Sequence, residues 1–172
     1  MRNMADLMNI PFKFDEIINP SVFDNPLDVD MKLTIDDILK LDLNDIGRQK
    51  NMELALKMDQ PNWEYIFACA AGINYFWVNP AGELCLCSLF RQNSIDLKKV
   101  SFQKAWNELI PPIRFRNTET DSACHNCNLI HLCGWCPAWA SLCCGDCYSS
   151  VAYLCEIAKA RACSYNQNNE RR

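Results

Sequence analysis

Four cysteines lie within the segment Cys124-His-Asn-Cys127-Asn-Leu-Ile-His-Leu-Cys133-Gly-Trp-Cys136. Their spacing, C-x2-C-x5-C-x2-C, places two pairs of thiols in one short loop. Thiolates are the side chains that iron–sulfur clusters and soft metal ions select. Glycine and proline break the surrounding sequence, so metal–sulfur bonds would have to replace a packed core in this region. The loop therefore predicts a metal centre.

Three cysteines outside this loop, Cys69, Cys87 and Cys155, complete an ordered series of seven among the twelve cysteines of the 172-residue chain. A secreted protein could use so many cysteines for disulfides. The N-terminus, however, has no apolar segment followed by a small-residue cleavage site, and no stretch approaches the roughly 20 apolar residues that span a bilayer. We therefore expect a cytoplasmic protein without membrane contact, in which the cysteines bind metal.

The composition predicts a folded protein that does not bind nucleic acid. Hydrophobic residues make up 49% and charged residues 22% of the chain, which is typical of a globular domain. The net charge is -4, and no cluster of basic residues occurs apart from Arg171-Arg172. Such a surface is unsuited to a phosphate backbone.

Capping residues and prolines predict several short helices around one β-hairpin. Thr34 and Ser101 are suitable N-caps, while Pro61 and the Pro111-Pro112 pair are expected to end helices. Asn79-Pro-Ala-Gly82 is a hairpin turn signal that places Cys87 near the exit of the hairpin. The predicted helices follow Thr34 and cover 4–10, 43–58, 102–109, 137–142 and 150–162, and the predicted strands cover 11–20, 73–78 and 83–87. The expected fold class is α+β, mostly α.

The order of the seven cysteines and their flanking sequence resemble the SPASM domain, the C-terminal auxiliary cluster module of many radical S-adenosylmethionine enzymes that modify peptides and proteins. The resemblance rests on Cys69-Ala-Ala-Gly72, Asn79-Pro-Ala-Gly82, Cys136-Pro-Ala-Trp-Ala, and Tyr153-Leu-Cys155 followed by Ala158 and Arg161. It covers residues 30–163. By the same resemblance, residues 1–29 are expected to be a remnant of a preceding partial barrel, and residues 164–172 a flexible tail.

The resemblance implies two [4Fe–4S] clusters with interleaved ligands. The outer cluster would bind Cys124, Cys127, Cys133 and Cys155, and the inner cluster, nearer the active site, would bind Cys69, Cys87 and Cys136. The chain departs from the family in two places: two residues rather than the more frequent three separate Cys133 from Cys136, and Tyr75 stands where many members have a further cysteine. One iron of the inner cluster is therefore either open or bound by Cys85, which shares a strand face with Cys87.

The chain lacks the C-x3-C-x2-C motif with which this family holds the cluster that cleaves S-adenosylmethionine. Cys143 and Cys147 give the first gap, but Ser150 stands at the third position. By resemblance, the chain is the C-terminal part of a peptide- or protein-modifying enzyme and is inactive alone. Its clusters would pass electrons or anchor a peptide or protein substrate. S-adenosylmethionine would bind only through a missing or separate barrel, for example a barrel subunit, and a ferredoxin or flavodoxin would supply electrons.

The residues alone leave other interpretations open. C-x2-C pairs also bind tetrahedral zinc, which would make the chain a zinc-stapled interaction domain without a redox role. His125 and His131 could bind zinc or iron, although partly exposed rings that donate a hydrogen bond to cluster sulfur are favoured. Cys143, Cys144 and Cys147 are either a third metal half-site or, as we favour, surplus thiols prone to oxidation.

Two glycines and three aromatic residues also have expected roles. Gly72 and Gly134 would let the backbone approach cluster sulfide closely. Tyr75, Phe76 and Trp77 are expected in the hydrophobic core rather than in a substrate pocket.

Overall fold

Helices form most of the regular structure in the computed structural model, which describes residues 1–19, 31–61, 63–117 and 122–170. The described helices are α1 (Arg2–Leu7), α2 (Ile35–Leu43), α3 (Ile46–Ala55), α4 (Phe102–Arg114), α5 (Ile130–Cys133), α6 (Pro137–Cys144) and α7 (Ala152–Glu170). The described strands are β1 (Trp77–Val78), β2 (Glu83–Cys85) and β3 (Ile95–Asp96). This arrangement confirms the predicted α+β, mostly α class. The predicted boundary between residues 29 and 30 lies outside the described residues.

Side-chain oxygens cap the N-termini of three described helices. Thr34 and Ser101 each accept a hydrogen bond from the backbone N–H three residues later, at 3.2 and 3.3 Å, which confirms both predicted caps. Asp45 caps α3 in the same way, at 3.0 Å. Because this cap lies after Leu43, α3 begins later than predicted, and it ends at Ala55, before Pro61 is reached.

The sheet is antiparallel, with β2 in the centre. Leu84 of β2 pairs with Val78 on one side and with Ile95 on the other. Gly82 forms the turn between β1 and β2 with a φ of +81°, a conformation that glycine adopts without steric cost. The predicted hairpin is confirmed, although β1 is shorter than predicted and β3 has no counterpart in the prediction.

Two hydrophobic cores lie on either side of α6. The first core packs α2, α3, α5 and α7 around Ile38 and Ile157, which are both fully buried. The second core packs the sheet against α4 around Leu86 and Ile110. Helix α6 belongs to both cores, because Trp139 faces the first and Ala138 the second.

Residues 11–19 form no strand, in contrast to the prediction for residues 11–20. None of the described strands pairs with them, and an unpaired strand is not stable. The alternation that favours a strand is still visible, because Phe12 and Phe14 are half-buried and Glu16 is buried. This segment therefore lies against the helices rather than in a sheet.

Helix α4 continues through Pro111 and Pro112, where the sequence predicts its end. Each proline removes one helical hydrogen bond because it lacks an N–H. Ile110 and Arg114, which lie one turn apart, are both buried. The guanidinium of Arg114 also donates hydrogen bonds to backbone carbonyls of the chain before β1. These buried contacts stabilise the last turn of α4 despite the two prolines.

Helix α7 extends to Glu170, well beyond the predicted end at Ala162. Tyr165 is buried, and its hydroxyl donates a hydrogen bond to the carbonyl of Gln49 at 2.8 Å. Residues 164–170 of the predicted tail are therefore helical. None of the described helices is both long and apolar enough to cross a membrane.

Candidate metal centres

Four thiols line one apolar cavity between α5 and the start of α7. We call them the outer thiol group: Cys124, Cys127, Cys133 and Cys155. The remaining walls are apolar except for Lys159. The cavity measures about 60 Å³, whereas a water molecule needs roughly 10–15 Å³ by the same measure. The space is therefore suited to a group larger than one water or one ion.

Local backbone structure brings these four thiols together. Cys124 and Cys127 share a turn in which the Cys127 N–H donates to the Cys124 carbonyl at 3.3 Å. Cys133 ends α5, and Gly134 with a φ of +70° turns the chain after it. Cys155 lies in the first turn of α7. All four ligands that the resemblance implies for the outer cluster therefore face one cavity.

The other three predicted ligands, Cys69, Cys87 and Cys136, form an inner thiol group. Burial raises the pKa of the Cys136 thiol, and the neighbouring thiols of Cys87 and Cys69 add to the rise. Burial also raises the pKa of Cys87, with Cys69 again contributing. Charges in a protein influence one another strongly only at short range. The three thiols are therefore neighbours in space, although they lie far apart in the sequence.

The thiols of the outer group also share one electrostatic environment. Burial raises the pKa of Cys124 to about 11, and the thiols of Cys155, Cys133 and Cys127 add to the rise. Burial raises the pKa of Cys133 as well, and Cys127 and Cys155 contribute. Buried thiols with raised pKa values hold their protons at neutral pH. A metal or cluster that binds them must displace those protons, so its affinity would increase with pH.

Backbone N–H groups donate hydrogen bonds to thiols of both groups. The donors are Phe90 to Cys87 at 3.2 Å, Trp135 to Cys133 at 3.3 Å and Trp139 to Cys136 at 3.3 Å. Through the last of these bonds, Cys136 is also the N-cap of α6. Such donors stabilise thiolate and cluster sulfur. Both thiol groups therefore carry the polar contacts that a bound anionic cluster requires.

Two buried arginines hold the backbone beside the two thiol groups. Arg114 donates to the carbonyl of Cys69 at 3.1 Å, and Arg161 donates to the carbonyl of Leu132, the residue before Cys133, at 2.8 Å. Sequence reasoning gives neither arginine a role. The signal that the sequence offers for such a residue is a cation among the apolar positions of an amphipathic helix.

Arg161 belongs to a buried ion-pair network that ties the N-terminal segment to the first core. Its Nε lies 2.8 Å from Asp42 Oδ2, and Arg48 lies 2.6 Å from Asp42 Oδ1. Both arginines also pair with Glu16. Burial raises the pKa of Glu16, but the hydrogen bonds from Arg48 and Arg161 outweigh it, so the pKa lies below its usual value.

A single metal ion and an iron–sulfur cluster make different demands on the positions of thiols. Among the described residues, no three His, Cys, Asp or Glu side chains are arranged to hold one metal ion. Tetrahedral zinc would bring four thiolates to roughly 3.8 Å from one another, because each Zn–S bond is about 2.3 Å. A four-iron cluster binds each thiolate to a different iron and so accepts thiols that lie further apart. The four thiols of the outer group line a cavity.

A second, more open cavity of about 350 Å³ lies beside the first. Cys69 and Cys136 of the inner thiol group line it, together with His131 and Trp63. Trp135 and Ile130 line both cavities, so they form the wall between the two thiol groups. The indole N–H of Trp135 donates to the carbonyl of Ser149 at 2.9 Å, which holds this wall in place.

The other cysteines lie apart from the two cavities. Cys85 is fully buried in β2 and lines neither cavity. Cys143 and Cys144 are exposed at the end of α6, and Cys147 packs against the second core. The interpretation of Cys143, Cys144 and Cys147 as surplus thiols stays a prediction.

The two histidines have different surroundings. His125 is buried, in contrast to the expectation of a partly exposed ring, because it stacks on Trp63 with ring centroids 4.4 Å apart. His131 is half-buried, and its Nε2 lies 2.7 Å from the carbonyl oxygen of Asp59. His131 is the histidine that reaches a thiol-lined cavity.

Gly72 packs against the second core, because an added Cβ would lie 2.8 Å from Ile110 Cγ2 and from Leu86 Cδ1. The close approach of its backbone to cluster sulfide stays a prediction. The expected core position of Tyr75 and Phe76 is wrong. Tyr75 and Phe76 are 44% and 41% exposed, since they precede β1 in an irregular segment outside the core.

Comparison with protein-family models, curated proteins and solved structures finds no match for this chain. The chemistry of the two thiol groups is therefore the basis for a functional conclusion.

Proposed function

We propose that this chain binds two [4Fe–4S] clusters, one at each thiol group, as an auxiliary domain of the SPASM type. The observation that carries the proposal is the division of seven cysteines into one group of four and one of three. These are the two ligand sets that the resemblance implies. The division is not a simple consequence of sequence distance, because Cys136 joins Cys69 and Cys87 rather than its neighbour Cys133.

The clusters would supply one-electron redox chemistry. The apolar walls of the outer cavity exclude water from its four thiols, and exclusion of water is one determinant of a cluster potential. The backbone N–H groups of Trp135 and Trp139 donate to ligand sulfur, which is a second determinant. The inner thiol group opens onto a larger cavity, where a peptide or protein substrate could be anchored.

In this role the chain acts in the cytoplasm with partners that supply the remaining chemistry. A separate radical S-adenosylmethionine barrel would bind the cosubstrate, because the chain has no C-x3-C-x2-C motif. A ferredoxin or flavodoxin would deliver electrons. The isolated chain is then redox-active and does not cleave S-adenosylmethionine. Cleavage of S-adenosylmethionine by the purified chain would contradict the proposal that a separate barrel is needed.

Anaerobic purification followed by iron, sulfide and zinc analysis tests the proposal. Two clusters require about eight irons and about eight sulfides per chain. The triple variant Cys69→Ser, Cys87→Ser, Cys136→Ser is expected to keep about half of both, because the outer thiol group is intact. A colourless protein with stoichiometric zinc and no sulfide would overturn the proposal and favour a zinc-stapled interaction domain.

A further inference from the structure

We infer that His131 is the fourth ligand of the inner site, where its Nδ1 binds the iron that Cys69, Cys87 and Cys136 leave without a cysteine. The inference rests on the proposed function and adds a ligand that the cysteine series does not contain. It replaces both alternatives that the sequence leaves open, an open iron and ligation by Cys85.

The position of His131 on α5 directs it to the inner thiol group. An α-helix turns by about 100° per residue, so side chains two residues apart point in nearly opposite directions. Cys133 lines the outer cavity, and His131 lines the second cavity with Cys69 and Cys136. Helix α5 therefore offers a thiol to one group and an imidazole to the other.

The hydrogen bond of His131 leaves the correct ring nitrogen for a metal. Nε2 lies 2.7 Å from the carbonyl oxygen of Asp59. A carbonyl oxygen only accepts hydrogen bonds, so Nε2 carries the proton in this contact and Nδ1 of the neutral ring carries the lone pair. Metal-bound histidines almost always donate their other N–H in this way, which fixes the tautomer and the ring orientation.

Cys85 is a poor competitor for the same iron. Its side chain is fully buried, and its Sγ lies 3.9 Å from the carbonyl of Glu83 within the same strand. It does not line the second cavity, whereas His131 lines that cavity with Cys69 and Cys136. Tyr75, which stands at the position of the missing cysteine, is 44% exposed and also lies outside the cavity.

Pulsed electron paramagnetic resonance of the reduced, cluster-loaded chain tests the inference. The chain has two histidines, so incorporation of 15N-histidine labels His125 and His131 alone. We expect a strong nitrogen coupling that changes with the isotope, as a directly bound imidazole requires. This measurement needs no substitution and so does not depend on the folding of a variant.

Two variants assign the coupling to one ring. His131→Ala is expected to lose it, whereas His125→Phe, which keeps a ring on Trp63, is expected to retain it. His131→Cys is expected to lose the coupling while keeping iron and sulfide, and to shift the inner potential to a more negative value, because thiolate replaces a neutral ligand.

The outcomes separate this inference from the proposed function. Two clusters without isotope-sensitive nitrogen coupling in the unmodified chain, or a coupling that survives in His131→Ala, would overturn ligation by His131 and leave the clusters standing. A chain that binds no iron and sulfide would overturn both.

Discussion

The cysteines proposed as ligands are also core residues. Cys124 and Cys133 are each 6% exposed and pack in the first hydrophobic core with Ile130 and Trp135. Since burial raises the pKa of both thiols, their thiolate forms need a compensating positive charge. Under the proposed function, each of these residues would contribute to stability in two ways, through packing and through metal bonds.

Cys133→Ala is predicted to remove the outer cluster and to lower the melting temperature of the loaded chain. The variant loses one of four ligands and the sulfur that accepts a hydrogen bond from the Trp135 N–H. Iron and sulfide analysis should show roughly half of the unmodified content. Cys143→Ala is the matched control, because Cys143 is exposed and lines neither cavity. Unchanged iron content in Cys133→Ala would contradict the assignment of Cys133 as a ligand.

Gly72→Ala is predicted to destabilise the second core. The new Cβ would lie 2.8 Å from Ile110 Cγ2 and from Leu86 Cδ1, and the residue has a φ of +76°. Overpacking costs about 1–3 kcal/mol, and a left-handed conformation adds about 1–2 kcal/mol.

Gly145→Ala is a control that separates the cost of overpacking from the cost of the left-handed backbone conformation. Gly145 has a φ of +82°, but an added Cβ would meet no atom within 4 Å. Urea unfolding should therefore give a smaller loss in free energy of unfolding for Gly145→Ala than for Gly72→Ala. Equal losses would show that the packing of Gly72 has no effect.

At the level of helices and strands, local signals are readable from the sequence and distant contacts are not. The caps at Thr34 and Ser101 and the turn at Gly82 depend on residues within one turn of the chain, so sequence reasoning finds them. The continuation of α4 past Pro111 depends on Arg114, whose partners precede β1. Strand β3 pairs with β2, and no local sequence pattern predicts this pairing.

The same distinction between local signals and distant contacts applies to the candidate site. The seven cysteines and their grouping follow from the resemblance, because order and spacing are properties of the sequence. The positions of Arg161 and His131 depend on contacts with Asp42 and Asp59, which lie far away in the chain. A single sequence contains no signal for such pairs, so the structure is needed to find them.

The network of Glu16 predicts a loss of stability in acid. Hydrogen bonds from Arg48 and Arg161 hold the pKa of Glu16 in the folded chain below its usual value of 4.5, despite the opposing effect of burial. The contribution of a carboxylate with a lowered pKa is complete above its unfolded pKa, and it is lost as the pH falls through the folded value. Glu16→Gln should lower the free energy of unfolding at neutral pH by about 2 kcal/mol, because two charge-assisted hydrogen bonds are weakened.

Urea unfolding of both proteins from neutral pH to below pH 4.5 checks this prediction. The difference between the unmodified chain and Glu16→Gln should shrink as the pH falls, since protonation removes the same charge. Asp36→Asn is a suitable control, because Asp36 is exposed and lies outside the network. A difference that stays constant with pH would contradict the role of the Glu16 carboxylate.

On the scale of the whole molecule, the two thiol groups meet at one wall. Trp135 and Ile130 separate the cavities, and the chain passes directly from Cys133 in one group to Cys136 in the other. Helix α6, which follows Cys136, packs against both cores. The two thiol groups and the hydrophobic cores are therefore parts of one connected structure. The first core includes Cys124 and Cys133 among its buried residues, whereas the second includes none of the seven cysteines there.

Removal of the clusters by a chelator is predicted to affect the two cores unequally. Helix α5 has four residues, too few for stability in isolation, and it contains both Cys133 of the outer thiol group and His131, which lines the second cavity. Its amide protons, and those at the start of α6 beside Cys136, should lose protection in hydrogen-exchange mass spectrometry when iron is removed. The sheet and α4 should keep more of their protection, because the buried residues of the second core include none of the seven cysteines, and Cys87 and Cys136 are only partly buried against it. A uniform loss of protection across both cores would show that the clusters stabilise the whole fold. Unchanged protection of α5 would show that they do not stabilise the helix beside them.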